Sequence, residues 1–390
     1  YSKGASIGSI PATTTKSGYN FDGWFINSGF SGSAIDATYK PGTPYGAITF
    51  YAKWTTITPL APAIETATIT GAPAVGEILT AVSTGVTGAP TPTESYQWQR
   101  FDSISNDFVD INNETSSTYT VLTGDADASI RVVITATNGV APAVSATSSG
   151  TDPISAQAVQ CGSGKYLIST TGVAKTWTRC TGPVTISSSV TSIANYGFER
   201  SGITNLTIPG TVATIGQGAF SATALTSLTL QEGIQSIGFA TFSTGDLYSA
   251  APVLTNVVLP DSLTSLGPKA FFQTRIAYLT IGSGLSSIPS EAFYNNWACG
   301  SLNIVFKAGN LTNIEGKSFI GTCASTVTIP SGVTNIGREA FAASTISTIY
   351  LPTSIDTLYS DATPSNGIFG SGNSLQVVNY CGTDVDVLNY

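Results

Sequence analysis

The 390-residue sequence contains no histidine and no methionine. Histidine is the commonest general base and a frequent metal ligand, so its absence excludes Ser-His-Asp catalysis and every histidine-containing metal site. Charge is also scarce, because Asp, Glu, Lys and Arg make up 10% of the chain, where about 25% is usual. We therefore expect neither an enzyme nor a cofactor, and the acidic residues that remain sit at variable repeat positions.

The net charge of -8 is spread over a chain without any Lys/Arg cluster. A protein that binds nucleic acid needs such a cluster to displace counterions from phosphates, so the sequence predicts no nucleic-acid partner. No apolar run approaches the roughly 18 residues of a transmembrane helix. We expect no direct membrane insertion in this segment. Because no signal peptide or initiator methionine is present, we also expect Tyr1 to follow a removed signal or a longer N-terminal region.

Five cysteines occur in the chain. Cys161 and Cys180 bracket two strand-like runs, which predicts a disulfide across a hairpin in an oxidising compartment. Cys299 and Cys323 follow equivalent phenylalanines of successive repeats, and for them a bridge and buried free thiols are both open. Cys381 is left over, either as a buried thiol or with a partner beyond Tyr390.

Two Pro- and Thr-rich stretches, at 55–62 and 148–153, read as linkers between folded units. The sequence thus predicts a mainly β, multidomain protein. Its expected modules are a small β-grasp-like module at 1–55, an Ig-like β-sandwich at 63–150, the N-terminal cap of a solenoid at 156–184, and a leucine-rich-repeat solenoid with a parallel sheet at 185–390.

The first module holds two aromatic clusters, Gly-Tyr-Asn-Phe-Asp-Gly-Trp at 18–24 and Thr-Phe-Tyr-Ala-Lys-Trp at 49–54. They resemble the Listeria–Bacteroides repeat, which implies a small β-grasp-like module of bacterial surface proteins. The aromatic side chains fit a platform for stacking sugars, but a core is favoured because small domains need aromatic area to be stable. These side chains are Tyr19, Phe21, Trp24, Phe50 and Trp54.

The middle module contains strand-sized apolar runs between Gly/Pro turns. Tyr-Gln-Trp-Gln at 96–99 and the run at 130–138 resemble bacterial Ig-like domains, with Trp98 as the buried core tryptophan. The module has no cysteine pair, and Val133 falls where the second cysteine would lie. Acidic residues around Asp125 and Asp127 suit turn capping better than calcium binding.

The C-terminal half is an internal repeat. A Val-x-x-Ile segment leads to a phenylalanine in each unit, and four of the seven intervals between these phenylalanines are 22 residues. We expect them to form one continuous buried stack, which we call the phenylalanine column: Phe198, Phe220, Phe242, Phe271, Phe293, Phe319, Phe341 and Phe369. The unit at 206–220, Leu-Thr-Ile-Pro-Gly-Thr-Val-Ala-Thr-Ile-Gly-Gln-Gly-Ala-Phe, resembles the BspA-like leucine-rich repeat. That resemblance implies a curved solenoid with one parallel strand per coil.

Alternation along the predicted strands selects the side chains that point outward. Leu206 and Ile208 face the core, so Asn205 and Thr207 face solvent, and the same two columns can be followed down the array to Gln376 and Val378. No residue in these columns is charged, and Tyr278 and Tyr350 are the available aromatic anchors. We call the following set the contact face: Asn205, Thr207, Ser227, Thr229, Asn256, Tyr278, Thr280, Asn303, Thr328 and Tyr350. The alternative is that these residues are simply good strand formers on a solvated face.

Together the resemblances imply an extracellular protein of the bacterial cell surface that mediates adhesion through contact with a protein or glycan. The alternative is a self-assembling structural subunit of a surface layer or filament, in which case the partners are copies of the same chain.

Overall fold

The computed structural model describes residues 10–11, 15–16, 18–40, 48–244, 253–294, 302–355, 357–358, 369, 377–380 and 383–386. Within them the fold is almost entirely β, with a single short 3-10 helix, η1 (Thr123–Asp125). The chain divides into two compact units. The first comprises 1–71, 78–119 and 128–152, and the second comprises 72–77, 120–127 and 153–390.

The first unit begins with an antiparallel pair, β1 (Tyr19–Phe25) and β2 (Tyr51–Thr56). The Phe21 ring lies 5.5 Å from Trp24 and 5.1 Å from Trp54, and the Trp24 ring lies 6.4 Å from Phe50. These rings therefore contact one another across the two strands, and all of them are half-buried, whereas the neighbouring Phe25 is buried.

The rest of the first unit is built from short antiparallel strands. They are β3 (Leu60–Ala63), β4 (Thr66–Thr70), β5 (Ile78–Thr84), β6 (Thr87–Ala89), β7 (Thr93–Asp102), β8 (Asp107–Asp110), β9 (Thr118–Thr120), β10 (Ile130–Thr137) and β11 (Val144–Thr147). They form sheets in the orders β11-β10-β7-β8, β4-β5-β9 and β3-β6.

Trp98 is the buried core tryptophan, as predicted. It is fully buried on β7, its ring lies 5.6 Å from that of Tyr119 on β9, and its Nε1 donates to the Ser116 carbonyl at 2.9 Å. The placement of Val133 at the position of the second core cysteine was wrong. The buried residues of β10 include Val132 and Ile134. Because side chains alternate along a strand, Val133 lies on the opposite, half-buried face.

In the second unit, long and two-residue strands alternate after an antiparallel start. The strands are β12 (Gln157–Cys161), β13 (Gly164–Ile168), β14 (Val173–Thr178), β15 (Thr181–Thr185), β16 (Ser192–Ile193), β17 (Gly202–Ile208), β18 (Thr214–Ile215), β19 (Ser227–Leu230), β20 (Ser236–Ile237), β21 (Val253–Val258), β22 (Ser265–Leu266), β23 (Arg275–Ile281), β24 (Ser287–Ile288), β25 (Asn303–Phe306), β26 (Asn313–Ile314), β27 (Thr326–Thr328), β28 (Asn335–Ile336), β29 (Thr348–Leu351), β30 (Thr357–Leu358), β31 (Val377–Tyr380) and β32 (Thr383–Asp386).

The expectation of one parallel strand per coil was wrong, because the repeat forms two parallel ladders. The long strands pair in the orders β15-β17-β19, β21-β23-β25 and β27-β29-β31-β32, and only the last pair is antiparallel. The short strands contain the second apolar residue of each Val-x-x-Ile segment, so that Ile193 pairs with Ile215 and Ile215 with Ile237. Their orders are β12-β13-β14-β16-β18-β20-β22 and β24-β26-β28-β30.

The phenylalanine rings stack along the interior. Successive rings from Phe198 to Phe341 have centroids 5.1 to 5.5 Å apart and planes within 18° of parallel. A backbone ladder accompanies them, since the N–H of each phenylalanine from Phe198 to Phe319 donates to the carbonyl of the residue before the next phenylalanine. Phe220, for example, donates to Thr241 at 2.9 Å. Phe369 is partly buried and packs against the same core.

The N-terminal end of the array is covered by β12, β13 and β14. Tyr166 on β13 is fully buried, with its ring edge-on to Phe198 at a centroid distance of 5.4 Å. The disulfide between Cys161 and Cys180, with Cα atoms 5.0 Å apart, ties this cap to the start of β15. Pro183 lies on β15, the edge strand of its sheet. Because proline has no amide hydrogen, this edge offers one hydrogen-bond donor fewer to another strand.

Two segments from earlier in the chain belong to this second unit. Ala74 and Ala126 form isolated parallel bridges with Ser155 and Ile154 respectively. The Lys165 ammonium lies 2.6 Å from the Glu77 carboxylate. The solenoid unit is therefore assembled from three stretches of chain rather than from one continuous segment.

Candidate functional site

The outward columns of the long strands are built by strict alternation. On β17, Leu206 and Ile208 are buried, whereas Asn205 is exposed and Thr207 is half-buried. The parallel register places Asn205 beside Ser227 and Thr207 beside Thr229. The structure thus brings these four members of the contact face together in one sheet.

The second sheet repeats the arrangement with larger side chains. Asn256, Tyr278 and Asn303 are register partners in one column. In the other column Thr280 lies between two valines. Tyr278 is 59% exposed, which makes it the most accessible aromatic residue of the contact face.

The third sheet carries Thr328 beside Tyr350, which is 43% exposed. The predicted final pair, Gln376 and Val378, was wrong by one residue. Val377 is the register partner of Thr348, and Asn379 is the partner of Tyr350. A one-residue shift of this kind reverses the face of every side chain in a strand.

Two charged side chains at the carboxyl edge of the second sheet neutralise each other. Asp261 follows β21 and lies 2.9 Å from the Lys307 ammonium, which follows β25. The Asp261 carboxylate also accepts a hydrogen bond from the Ser283 amide at 2.9 Å. The amide and then the ammonium hold the pKa of Asp261 below its ordinary value. This acid therefore joins neighbouring coils.

Glu232 has the same role one coil earlier. Its carboxylate accepts the amides of Asp261 and Ser262 at 2.9 and 3.0 Å. These two backbone hydrogen bonds lower the pKa of Glu232. Acidic side chains at this edge thus bind backbone donors of the following coil.

Sequence reasoning missed a second column at the turns. The residue two positions before each phenylalanine has a positive φ from Tyr196 through Glu339. In its later members the column alternates in charge, and Lys269 lies 3.3 Å from Glu291 while Lys317 lies 3.7 Å from Glu339. The expectation of variable positions was wrong for Glu291 and Glu339, because both lie two residues before a phenylalanine, an offset that is visible in the sequence.

The described part of the chain holds no group of three or more His, Cys, Asp or Glu side chains placed to bind a metal ion. Nor does any helix within it have the length and apolar character needed to cross a bilayer. Cys323 is buried. Its proposed partner Cys299 lies outside the described residues, as does Cys381, so those predictions stay predictions.

Comparison with known families identifies two modules. Residues 177–296 and 246–366 match the BspA type leucine-rich repeat region, in six copies, and residues 1–53 match the Listeria-Bacteroides repeat domain. Residues 177–366 thus carry BspA-type leucine-rich repeats, and a Listeria-Bacteroides repeat precedes them. Comparison with curated proteins gives no match.

Solved structures that are similar to the chain include the following three. The alignment with a leucine-rich repeat protein from Bacteroides ovatus ATCC 8483 has 20% identity and a TM-score of 0.34, and it covers 57% of this chain and 70% of that protein's chain. One from Eubacterium ventriosum ATCC 27560 has 17% identity, coverages of 57% and 72%, and a TM-score of 0.28. A leucine rich cell surface protein from Faecalibacterium prausnitzii A2-165 has 16% identity, coverages of 59% and 96%, and a TM-score of 0.19.

Proposed function

We propose that this chain is a non-catalytic, extracellular protein of the cell surface, and that the contact face of its repeats mediates adhesion by binding a protein or glycan. The family of the repeats supports a surface role. The observation that supports the contact face is its composition. Its two exposed tyrosines lie in columns of amide, hydroxyl and β-branched side chains that contain no Asp, Glu, Lys or Arg.

Such a face suits contact because cores of protein interfaces are depleted of charge and enriched in tyrosine. Desolvating a hydroxyl or an amide also costs less than desolvating an ion. The charged side chains at the carboxyl edge of the second sheet and at the turns are paired with each other, as Lys307 is with Asp261. The rigid backbone ladders hold the tyrosines on strands rather than on loops, which reduces the entropy lost on binding.

Binding of the purified protein to extracellular matrix laid down by cultured epithelial cells, and to mucin, tests this proposal. Replacing Tyr278 and Tyr350 together by Thr keeps strand propensity and removes both rings. We expect this double variant to lose most of the binding. Phe239, 42% exposed at a turn outside the contact face, provides the matched control as Phe239→Ala. Equal loss in both variants would contradict the assignment of the face.

Self-assembly is the second candidate, and the ends of the array bear on it. Growth by stacking coil upon coil needs open edges at both ends. At one end the array is covered by β12 to β14, and Pro183 stands on the edge strand. At the other, β32 turns antiparallel to β31. We therefore expect a monomer in size-exclusion chromatography, and ordered polymers in negative-stain images would favour the structural role instead.

A further inference from the structure

Within the contact face, one arrangement stands out in the second sheet. Tyr278 lies between Asn256 on one neighbouring strand and Asn303 on the other, in exact register. Adjacent strands are about 4.8 Å apart, so the two asparagines are separated by about 10 Å with the phenol ring between them. All three side chains are exposed.

The two asparagine amides have hydrogen-bonding capacity to spare. Asn256 and Asn303 make no side-chain hydrogen bond to the residues that the structure describes. Amides elsewhere in the solenoid are engaged: Asn335 donates to Asn313 at 2.6 Å, and Asn205 accepts from the Thr204 hydroxyl at 2.9 Å. An amide provides both donors and an acceptor, so each of the two asparagines offers a complete set to a ligand.

A small apolar strip runs beside this triad. Val258, Thr280 and Val305 are register partners two residues further along the same strands. The two valines are 41% and 49% exposed. The patch therefore combines an aromatic ring, two amides and an apolar border within three adjacent strands.

These features match the two sides of a pyranose. A hexose ring presents C–H bonds on one face, which pack on an aromatic ring, and hydroxyls around its rim, which exchange hydrogen bonds with amides. We infer that the Asn256–Tyr278–Asn303 triad binds a pyranose unit of a neutral glycan. This inference rests on the proposed function and narrows it to one ligand class and one place.

The charge of the site argues for a neutral sugar. An acidic or sulfated sugar needs a cation to compensate its charge, and the two outward columns of the second sheet contain none. The Lys307 ammonium after β25 is held 2.9 Å from the Asp261 carboxylate, and the half-buried Arg275 lies at the other end of β23, three residues before Tyr278. A protein partner fits less well, because a protein hot spot is a desolvated pocket with a water-excluding rim, whereas this patch is open. Tyr350 has Thr328 as one neighbour instead of an amide, so it lacks the flanking pair of the triad.

The test uses the full chain and defined probes: mannohexaose, cellohexaose, chitohexaose and a galactotetraose, with a tetragalacturonate as the acidic probe. Saturation-transfer NMR detects binding and titration gives Kd, which for a single open site is expected near the millimolar range. Tyr278→Thr should weaken binding at least about tenfold, whereas Tyr278→Phe should stay within about threefold because the ring remains.

The amides are tested by the double variant Asn256→Val/Asn303→Val, with Asn20→Val, at an exposed strand asparagine of the first unit outside the contact face, as the control. We expect loss of binding in the first and an unchanged Kd in the second. Phe239→Ala, outside the contact face, should also leave Kd unchanged.

Two results overturn the inference. One is the absence of binding to every neutral probe, and the other is binding that survives both Tyr278→Thr and the double asparagine variant. If matrix binding nevertheless falls in the Tyr278/Tyr350 double variant, the proposed function stands and the partner is a protein. If matrix binding is also unaffected, both proposals fail.

Discussion

The rings of Phe319 and Phe341 lie 5.3 Å apart with their planes 3° from parallel. The Phe319 amide also donates to the Ala340 carbonyl at 2.8 Å, one residue before the second ring. One pair of equivalent residues thus joins two coils through side chain and backbone together. Because a coil cannot bury its apolar face alone, this pairing repeated along the array provides much of its stability.

The first prediction concerns an interior member of the phenylalanine column. Phe271 is fully buried, with its ring 5.1 Å from Phe242 and 5.5 Å from Phe293. Phe271→Ala removes contacts with both neighbouring coils and leaves a cavity, so the free energy of unfolding should fall by about 3–5 kcal/mol. Urea unfolding followed by circular dichroism measures the change.

The exposed Phe239 provides the control for this measurement, since Phe239→Ala should change the free energy of unfolding by only about 0.5 kcal/mol. A similar loss in the two variants would mean that the stacked rings do not carry the coil-to-coil packing.

The phenylalanine column and the outward columns were predictable because both follow from spacing in the sequence. A buried residue recurring once per coil must stack, and alternation on a strand fixes which side chains face solvent. The same reasoning failed at the last strand. Gln376 lies seven residues after Phe369, the offset that Ser227 has from Phe220, but the structure pairs Thr348 with Val377, so the outward pair placed at Gln376 and Val378 came out one residue off.

Other features could not be read from the residues. Positive φ two positions before each phenylalanine is adopted by Tyr196, Ala240 and Lys269, and such residue types carry no sign of a left-handed backbone. The second parallel ladder was missed for a related reason. Its strands are only two residues long, as at Ser192–Ile193, which is too short for an alternating pattern to show.

The second prediction concerns how closely the coils approach. A Cβ on Gly267 would lie 2.4 Å from the Gly238 carbonyl carbon and 2.5 Å from the Phe239 nitrogen. Neither backbone atom can move without disturbing its own coil, so Gly267→Ala should destabilise the protein by about 1–3 kcal/mol. Thermal unfolding checks this value.

Gly29→Ala is the matched control, because its added Cβ would meet only the Asn27 Oδ1 at an ordinary 3.6 Å. The melting temperature should stay the same or rise slightly there. No loss at Gly267 would show that the coils are spaced more loosely than the structure has them.

The third prediction concerns the cap. Cys161 and Cys180 are both buried and enclose a short loop with a sequence separation of 19. Cross-linking a loop of that length restricts the unfolded chain, so Cys161→Ala/Cys180→Ala should lower the free energy of unfolding by about 3 kcal/mol. Denaturation with and without dithiothreitol tests this. Reductant should destabilise the wild type and leave the double variant unchanged, and a reductant effect of the same size in both would contradict the assignment.

The last prediction concerns pH. The Ser283 amide and the Lys307 ammonium lower the pKa of Asp261 below its ordinary value in the folded state. A depressed folded pKa means that the carboxylate stabilises the fold above the ordinary pKa, and that this contribution is lost as pH falls through the folded pKa. Asp261→Asn should therefore lower the melting temperature near about pH 6 and make no difference near about pH 2. Asp152→Asn, at an exposed acid, is the control and should show no such pH-dependent difference. A deficit of Asp261→Asn that persists at the lowest pH would mean that the side chain acts through shape rather than through its charge.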